Sequence, residues 1–344
     1  MGVIIVVEPS GVGWLVSGWR WLGLGWCAGA MALALSACAS LRRAVPHTPP
    51  AAARLPVVTT VLPVTLFTRA VAGDCAQVTA LIPAQSGLHD VQSRPADLAV
   101  LQRARVLVKN GLGLETFLDR LIAAASNPAL RVIDSSQGVA TLPAEAAIRQ
   151  PESAVDAHHQ GHAHGSGSAH AGVNPHIWLD PRRAIQQVET IRDGLIAADP
   201  ACAKGYRQRA ERYSAMLRQL DRELEQQLNP HRGQRVVAFH DVAPYFAQRY
   251  GLEVAFLVTL PEQNPSPQDM LRVSQIVRSS GLKALLSEPQ RGAQSFNALA
   301  RDLGVRVSVF DPLETASQQQ SLDPSTYITV MRANVRALLS ALGS

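Results

Sequence analysis

The sequence predicts an α/β protein of two lobes, each a mainly parallel sheet with flanking helices, joined by one long rigid helix. Three observations carry this. Short β-rich runs alternate with helical stretches, which implies parallel sheets covered by helices. That alternation occurs twice, on either side of an unbroken helical repeat. At 344 residues the chain also exceeds the usual size of a single domain.

In the first half, residues 57–62 and 77–82 are short β-rich runs. Residues 96–103 read as helix, 105–109 as strand, 115–124 as helix and 130–133 as strand. Residues 181–198 read as a helix, with Asp180 as its N-cap and Pro181 in its first turn. The repeat over 203–228 is the connecting rod. Its Tyr206, Ala210, Tyr213, Leu217, Leu220, Leu224 and Leu228 recur at spacings of four and three and so share one face. At about 1.5 Å per residue such a helix spans nearly 40 Å. Strands at 235–239, 253–258, 284–287 and 305–310 then alternate with helices at 242–250, 267–280, 295–303 and 327–342.

The N-terminal region reads as an export signal. An uncharged apolar run from Trp21 to Ala37 follows Arg20. It falls short of the roughly 20 residues a membrane span needs and ends in Leu35-Ser36-Ala37-Cys38, which is similar to a lipobox. An N-terminal anchor helix with an incidental cysteine is the alternative. The domain reading is therefore 1–37 signal peptide, 38–54 lipid-anchored tether, 55–200 N-terminal lobe, 201–228 linking helix and 229–344 C-terminal lobe. The implied location is the periplasm or cell surface, anchored to the membrane through Cys38. With Cys27 removed in the signal, Cys75 and Cys202 remain; an oxidising compartment allows them to pair, and two free thiols are the alternative.

Composition narrows the function. The formal net charge is +5, but lysine and arginine are scattered, without the runs or basic–aromatic interleaving of nucleic-acid binders. Within residues 156–172, His158, His159, His162, His164 and His170 stand among Gly, Ala and Ser, with no hydrophobic period to build a core. This tract reads either as a mobile loop with no further role, or as a low-affinity metal collector or sensor.

Chemistry-bearing side chains fall at strand ends. His240 follows the strand at 235–239, Asp311 follows that at 305–310, His89 lies past 77–82, and His176 precedes the helix at 181. Ligands of open α/β sheets bind beyond the carboxyl ends of strands, so two donors from each lobe could converge in a cleft. A lone histidine at a strand end is more often structural, and Asp311 before Pro312 could simply cap a turn. Four together, beside a histidine-rich tract, point to a metal. Glu288, also at a strand end, is a further possible neighbour of the site.

These segments resemble the metal-binding lipoproteins that serve ABC importers of zinc and manganese, and the resemblance covers nearly all of residues 55–344. It rests on Gly87-Leu88-His89-Asp90, Asn110-Gly111-Leu112-Gly113-Leu114-Glu115, Asn174-Pro175-His176-Ile177-Trp178-Leu179-Asp180-Pro181, Phe239-His240-Asp241, Ser287-Glu288-Pro289-Gln290 and Phe310-Asp311-Pro312-Leu313. The family pattern differs at Leu88 and Val91, where a proline and an aromatic are usual, and at Val242-Ala243-Pro244. The resemblance implies that His89, His176, His240 and Asp311 bind the ion, with Glu288 as a supporting or alternative ligand. It implies Zn²⁺ carried as cargo, a permease and its ATPase as partners, and a monomer. Three imidazoles and a carboxylate suit Zn²⁺ better than Mn²⁺, while Cu²⁺ and Ni²⁺ remain open. A periplasmic zinc chaperone and a manganese-binding or adhesin-type relative are the alternatives. A zinc hydrolase would need an open coordination position and a general base, and no His-Glu-x-x-His pair occurs.

Overall fold

A computed structural model describes residues 54–87, 91, 94–144, 172–258, 265–289 and 293–342. Residues 52–344 cluster as one compact unit. It contains two four-stranded sheets, all of whose paired strands run parallel, with the orders β2-β1-β3-β4 and β6-β5-β7-β8. The strands are β1 (Leu55–Thr59), β2 (Ala76–Ala80), β3 (Val106–Lys109), β4 (Arg131–Asp134), β5 (Arg235–His240), β6 (Glu253–Val258), β7 (Ala284–Ser287) and β8 (Arg306–Val309). The two α/β lobes and the long helix between them are as the sequence predicts.

Strand alternation divides the apolar side chains between layers, because successive residues of a strand face opposite ways. In the N-terminal lobe Val57, Val106 and Val108 enter a central core, while Val58 and Leu107 face the other side. There they pack with Leu101 of α2 (Pro95–Arg103) and Leu118 and Leu121 of α3 (Leu118–Ala125). In the C-terminal lobe Val236, Ala238 and Leu286 face the same central core, whereas Val237, Phe239 and Leu285 form the outer layer. Val273 and Val277 of α7 (Pro267–Ser280) and Phe296 of α8 (Ala293–Leu303) close that layer. Parity thus points positions 236, 238 and 240 of β5, and 286 and 288 at the end of β7, toward the side shared with the other lobe.

The central core is continuous between the lobes. It joins Phe67 of α1 (Leu62–Ala72), Ile191 of α4 (Pro181–Ala198), Leu217 and Leu224 of α5 (Ala203–Leu228) and Met331 of α10 (Thr326–Leu342). All seven residues of the expected α5 stripe are buried. Asp180 caps α4, accepting from the Arg182 N–H at 2.8 Å with Pro181 in the first turn. Gly194 lets α4 lie against β4, because a Cβ there would overlap the Ile133 side chain.

The strand expected over 57–62 ends at Thr59, and Leu62 instead opens α1, for which the sequence offers no helical period. Nine of its eleven residues are buried, Thr65 and Thr68 among them, so no broad polar face marks it in the sequence. Pro63 supplies the helix-start signal. A short helix, α9 (Gln318–Leu322), also lies outside the expected elements. Its capping box of Ser317 and Gln320 follows a rule the sequence displays.

Cys75, just before β2, and Cys202, just before α5, are joined as a disulfide with Cα atoms 6.3 Å apart. Among the described residues no helix is long and apolar enough to cross a membrane.

Asp221 on α5 binds both lobes to the rod. It accepts from Arg249 at 2.7 Å, on α6 (Pro244–Tyr250), and from Arg182 of α4 at 2.9 Å. Burial alone would raise its pKa, but the two guanidinium groups outweigh that and hold the carboxyl below its ordinary value. Asp221→Ala is expected to cost about 3 kcal/mol, the low end for breaking a buried pair, because Arg249 keeps Glu225 at 2.9 Å. Urea unfolding of the variant against the parent measures this; a loss under about 1 kcal/mol would assign the pair to the weak surface class.

Candidate metal centre

Between the lobes, His176, His240 and Glu314 form a buried cluster whose donor atoms all lie within 4.8 Å of one another. His176 Nε2 is 3.4 Å from Glu314 Oε1, and His240 Nε2 is 3.5 Å from the same oxygen. The two imidazole rings lie 5.3 Å apart, inclined at 69°.

Each candidate donor is placed by its own local rule. His240 is the last residue of β5, on the inward parity. Its Nδ1 contacts Glu288 Oε1 at 2.5 Å, and its backbone N–H donates to the same oxygen at 3.3 Å. A carboxylate on Nδ1 fixes the ring so that Nε2 faces the cluster, the arrangement common around metal-bound histidines. Burial pulls the His240 pKa down, but the charge and hydrogen bond of Glu288, followed by those of Glu314, outweigh this and raise it to about 10.

His176 precedes a short 3-10 turn, Ile177–Leu179. Its backbone N–H donates to Asn174 Oδ1 at 3.0 Å, and its Nδ1 is 3.0 Å from that oxygen. Beneath it, Asn110 donates to the Pro175 carbonyl at 3.1 Å. Asn110 in turn sits on the turn after β3, which Glu115 holds by accepting from Asn110 N at 2.7 Å and Gly111 N at 3.0 Å. The turn requires glycine at 111, where φ is +88° and a Cβ would collide with the Asp134 carboxylate.

The structure brings together His176 and His240 of the expected ligands and adds Glu314, which the sequence reading did not single out. Asp311 lies outside this cluster. Its Oδ1 accepts from the Leu313 N–H at 2.8 Å, and Asn334 of α10 holds its backbone on both sides at 2.8 Å. The carboxyl folds back on its own turn. Leu313 then adopts φ +62°, unusual for a branched side chain, and the next residue, Glu314, points into the cluster. Burial raises the Asp311 pKa to about 6, the Leu313 N–H opposes this, and Glu314 and Glu288 add repulsion. Asp311 therefore feels the charge of Glu314 and Glu288 but is not one of the three clustered donors. Glu288 contacts His240 rather than joining the three-donor cluster. His89, the histidines at 158, 159, 162, 164 and 170, and Cys38 lie outside the described residues.

The donor spacing is informative. Bonds of roughly 2.0–2.1 Å at tetrahedral angles put neighbouring donor atoms about 3.3–3.4 Å apart. Octahedral sites with similar bond lengths bring them to about 3.0 Å. The observed 3.4 and 3.5 Å fit the tetrahedral case.

A family model described as "Zinc-uptake complex component A periplasmic" (ZnuA) matches residues 57–341. The chain belongs to this family. It is 29% identical to the "Zinc-binding lipoprotein AdcA" of Streptococcus pneumoniae over 89% of its own length and 59% of that protein's. It therefore spans about three-fifths of that relative. Identity to the "High-affinity zinc uptake system protein ZnuA" of Bacillus subtilis is 26%, over 84% of this chain and 88% of that one. Among solved structures, Zn(II)-bound AdcA from Streptococcus pneumoniae superposes with a TM-score of 0.69 at 27% identity, covering 85% of this chain and 58% of that one.

The raised His240 pKa has a definite sign. Without metal, the stabilisation its protonated ring gains from Glu288 and Glu314 is fully present below the unfolded value of about 6.5. It is lost as pH rises through about 10. A metal ion must displace that proton, so at pH 7.5 Zn²⁺ binding is expected to release about one proton from His240. Glu288→Gln, by removing the charge that holds it, is expected to release fewer. Titration calorimetry in buffers of different ionisation enthalpy reads the number, and a heat independent of buffer would contradict the assignment.

Proposed function

We propose that the chain is the extracytoplasmic zinc-capturing component of an ABC importer, taking Zn²⁺ between its lobes and passing it to a membrane permease powered by an ATPase. The observation that carries this is the pair of imidazole nitrogens 3.4 and 3.5 Å from one glutamate oxygen, a tetrahedral spacing built from nitrogen-rich donors. Family membership and the zinc-binding names of the relatives support it. The proposed ligands are His176, His240 and Glu314, with His89 completing four; Glu288 orients His240, and Asp311 adds charge nearby. The protein acts as a binding monomer and transforms no substrate.

Export and anchoring through Cys38 complete the reading. The order of Leu35, Ser36, Ala37 and Cys38 supports them, as do the name of the pneumococcal relative and a Cys75–Cys202 disulfide, which suits an oxidising compartment.

Zn²⁺, Mn²⁺, Cu²⁺ and Ni²⁺ competing together for the purified chain test the cargo. Structural zinc sites bind with about 10–16 kcal/mol, or about 3 kcal/mol per ligand over four. Alanine at His176, His240 or Glu314 is therefore expected to weaken Zn²⁺ binding about 100-fold, and Asp311→Asn less than tenfold. Equal losses for Asp311 and Glu314 would restore Asp311 as a direct ligand. In cells starved of zinc, deleting the gene is expected to slow uptake as much as deleting the permease; unchanged uptake would leave a carrier without a transporter.

We further propose that the five-histidine tract collects Zn²⁺ weakly and is separate from the tight site. Removing residues 156–172 is expected to abolish low-affinity binding and leave the tight dissociation constant within about threefold, since His176, His240 and Glu314, the donors clustered among the described residues, lie outside the tract. Loss of tight binding with the tract would overturn the ligand assignment.

A further inference from the structure

We propose that Asn174 and Trp178 are positioning residues that act as a two-armed clasp, each fastening one ligand loop of the C-terminal lobe to His176 and so setting the donor spacing before metal arrives. The inference rests on His176, His240 and Glu314 being the ligands.

Asn174 forms the first arm. Its side chain is buried, and its Nδ2 donates to the Asp241 carbonyl at 2.8 Å. A carbonyl can only accept, so the amide NH₂ must face Asp241 and Oδ1 must face the other way. There Oδ1 accepts the His176 backbone N–H, and the ring Nδ1 lies at the same 3.0 Å. With an acceptor against it, Nδ1 carries the ring proton of a neutral imidazole, which leaves Nε2 as the lone-pair donor toward Glu314. One side chain therefore sets the tautomer of His176 and fixes its distance from the residue beside His240. Tyr245 of α6 braces the arm, donating to the Asn174 carbonyl at 2.7 Å and accepting from the Leu142 N–H at 2.9 Å.

Trp178 forms the second. Its indole N–H donates to the Pro312 carbonyl at 2.8 Å, across 134 residues of chain. Pro312 lies two residues before Glu314, so this bond locates the turn that presents the carboxylate. The indole also meets the His176 ring edge-on, with centroids 5.2 Å apart. Tyr327 of α10 donates to the Trp178 carbonyl at 2.7 Å and holds the backbone in place. Both arms leave one short segment, 174–178, and land on the two C-terminal-lobe loops that carry ligands. Groups that orient metal ligands in this way typically change affinity about 10–100-fold when removed.

The test uses the full chain with Zn²⁺ competition and, separately, saturating Co²⁺, whose visible bands report ligand geometry. Asn174→Ala and Trp178→Phe are compared with the parent, with the folded state of each metal-free protein checked by circular dichroism and melting. Both variants are expected to bind Zn²⁺ about 10–100-fold more weakly and to shift the Co²⁺ bands while melting as cooperative folded proteins. A merely structural role would lower the melting temperature and leave the Co²⁺ spectrum unchanged. If either folded variant keeps the parent's affinity within threefold and the parent's spectrum, the clasp is overturned. Should Asn174→Ala fail to fold, Trp178→Phe, which retains an aromatic ring and drops the N–H, decides alone. His176→Ala separates the two readings: if it too binds Zn²⁺ like the parent, the site assignment fails and not only the clasp.

Discussion

The candidate metal centre depends on an apolar core that does not stop at the boundary between the lobes. Side chains of both sheets, with those of α1, α4, α5 and α10, form one cluster running from Val57 through Leu217 to Phe310. A hinge-bending protein keeps two separate cores with a wet cleft between them. Opening this one would expose Leu, Phe and Tyr side chains at roughly 25 cal/mol for each Å² of apolar surface. Trp178, Tyr206, Tyr245, Tyr250 and Tyr327 are all fully buried, so a wide separation would expose hundreds of Å² and cost several kcal/mol. A core continuous between the lobes opposes wide opening and leaves loops and small lobe rotations as the less costly movements.

The fixed lobes repeat one device with different outcomes. Each sheet has its first strand inside, and a carboxylate following the third strand reaches back to the end of the first. In the N-terminal lobe Glu115 accepts from Thr60 at 2.6 Å and from the Asn110 and Gly111 amides. Burial raises its pKa while those donors oppose the shift, and its task is to shape a turn. In the C-terminal lobe Glu288 reaches His240 in the same way. The residue at the strand end is now an imidazole, so the carboxylate orients a metal donor. Both sit at the switch point where strand order reverses, the crevice in which open α/β sheets bind ligands. One lobe thus supplies a rigid support under Pro175 and His176, and the other supplies charge.

Much of this was legible from residues alone, where one local rule decides the outcome. The α5 stripe, the Asp180–Pro181 cap and the βα alternation each follow from periodicity or capping chemistry. His176 and His240 stood out only as two of four candidate donors from distant parts of the chain, beside a histidine-rich tract. Helix α1 stayed hidden because burial of nine of its eleven residues leaves no broad polar face to mark it. Glu314 stayed hidden because its direction depends on two neighbours: Asp311 spends its oxygen on the Leu313 amide, and Leu313 takes a left-handed conformation. Counting from the strand end selects the first carboxylate, whereas the geometry of the turn selects the second. The Asn174 and Trp178 bonds span 67 and 134 residues, and nothing local encodes such pairings.

Charge balance explains why a site this buried tolerates so many carboxylates. Glu288 and Glu314 are 3% and 5% exposed, and leaving two anions unpaired there would cost several kcal/mol each. Without metal the protonated His240 ring lies between them and offsets one charge, which is why its pKa rises despite burial. A divalent cation in the same place offsets both charges, and it takes up the Nε2 lone pairs that a single proton cannot satisfy together. A monovalent ion would leave a net negative charge and make weaker bonds to imidazole. The exchange is then one proton for one dication, which leaves one carboxylate charge unbalanced before the ion arrives and none after. With the proposed ligands, that charge balance favours a dication, and the 3.4 and 3.5 Å between Glu314 and the two imidazoles suit a small ion in tetrahedral coordination.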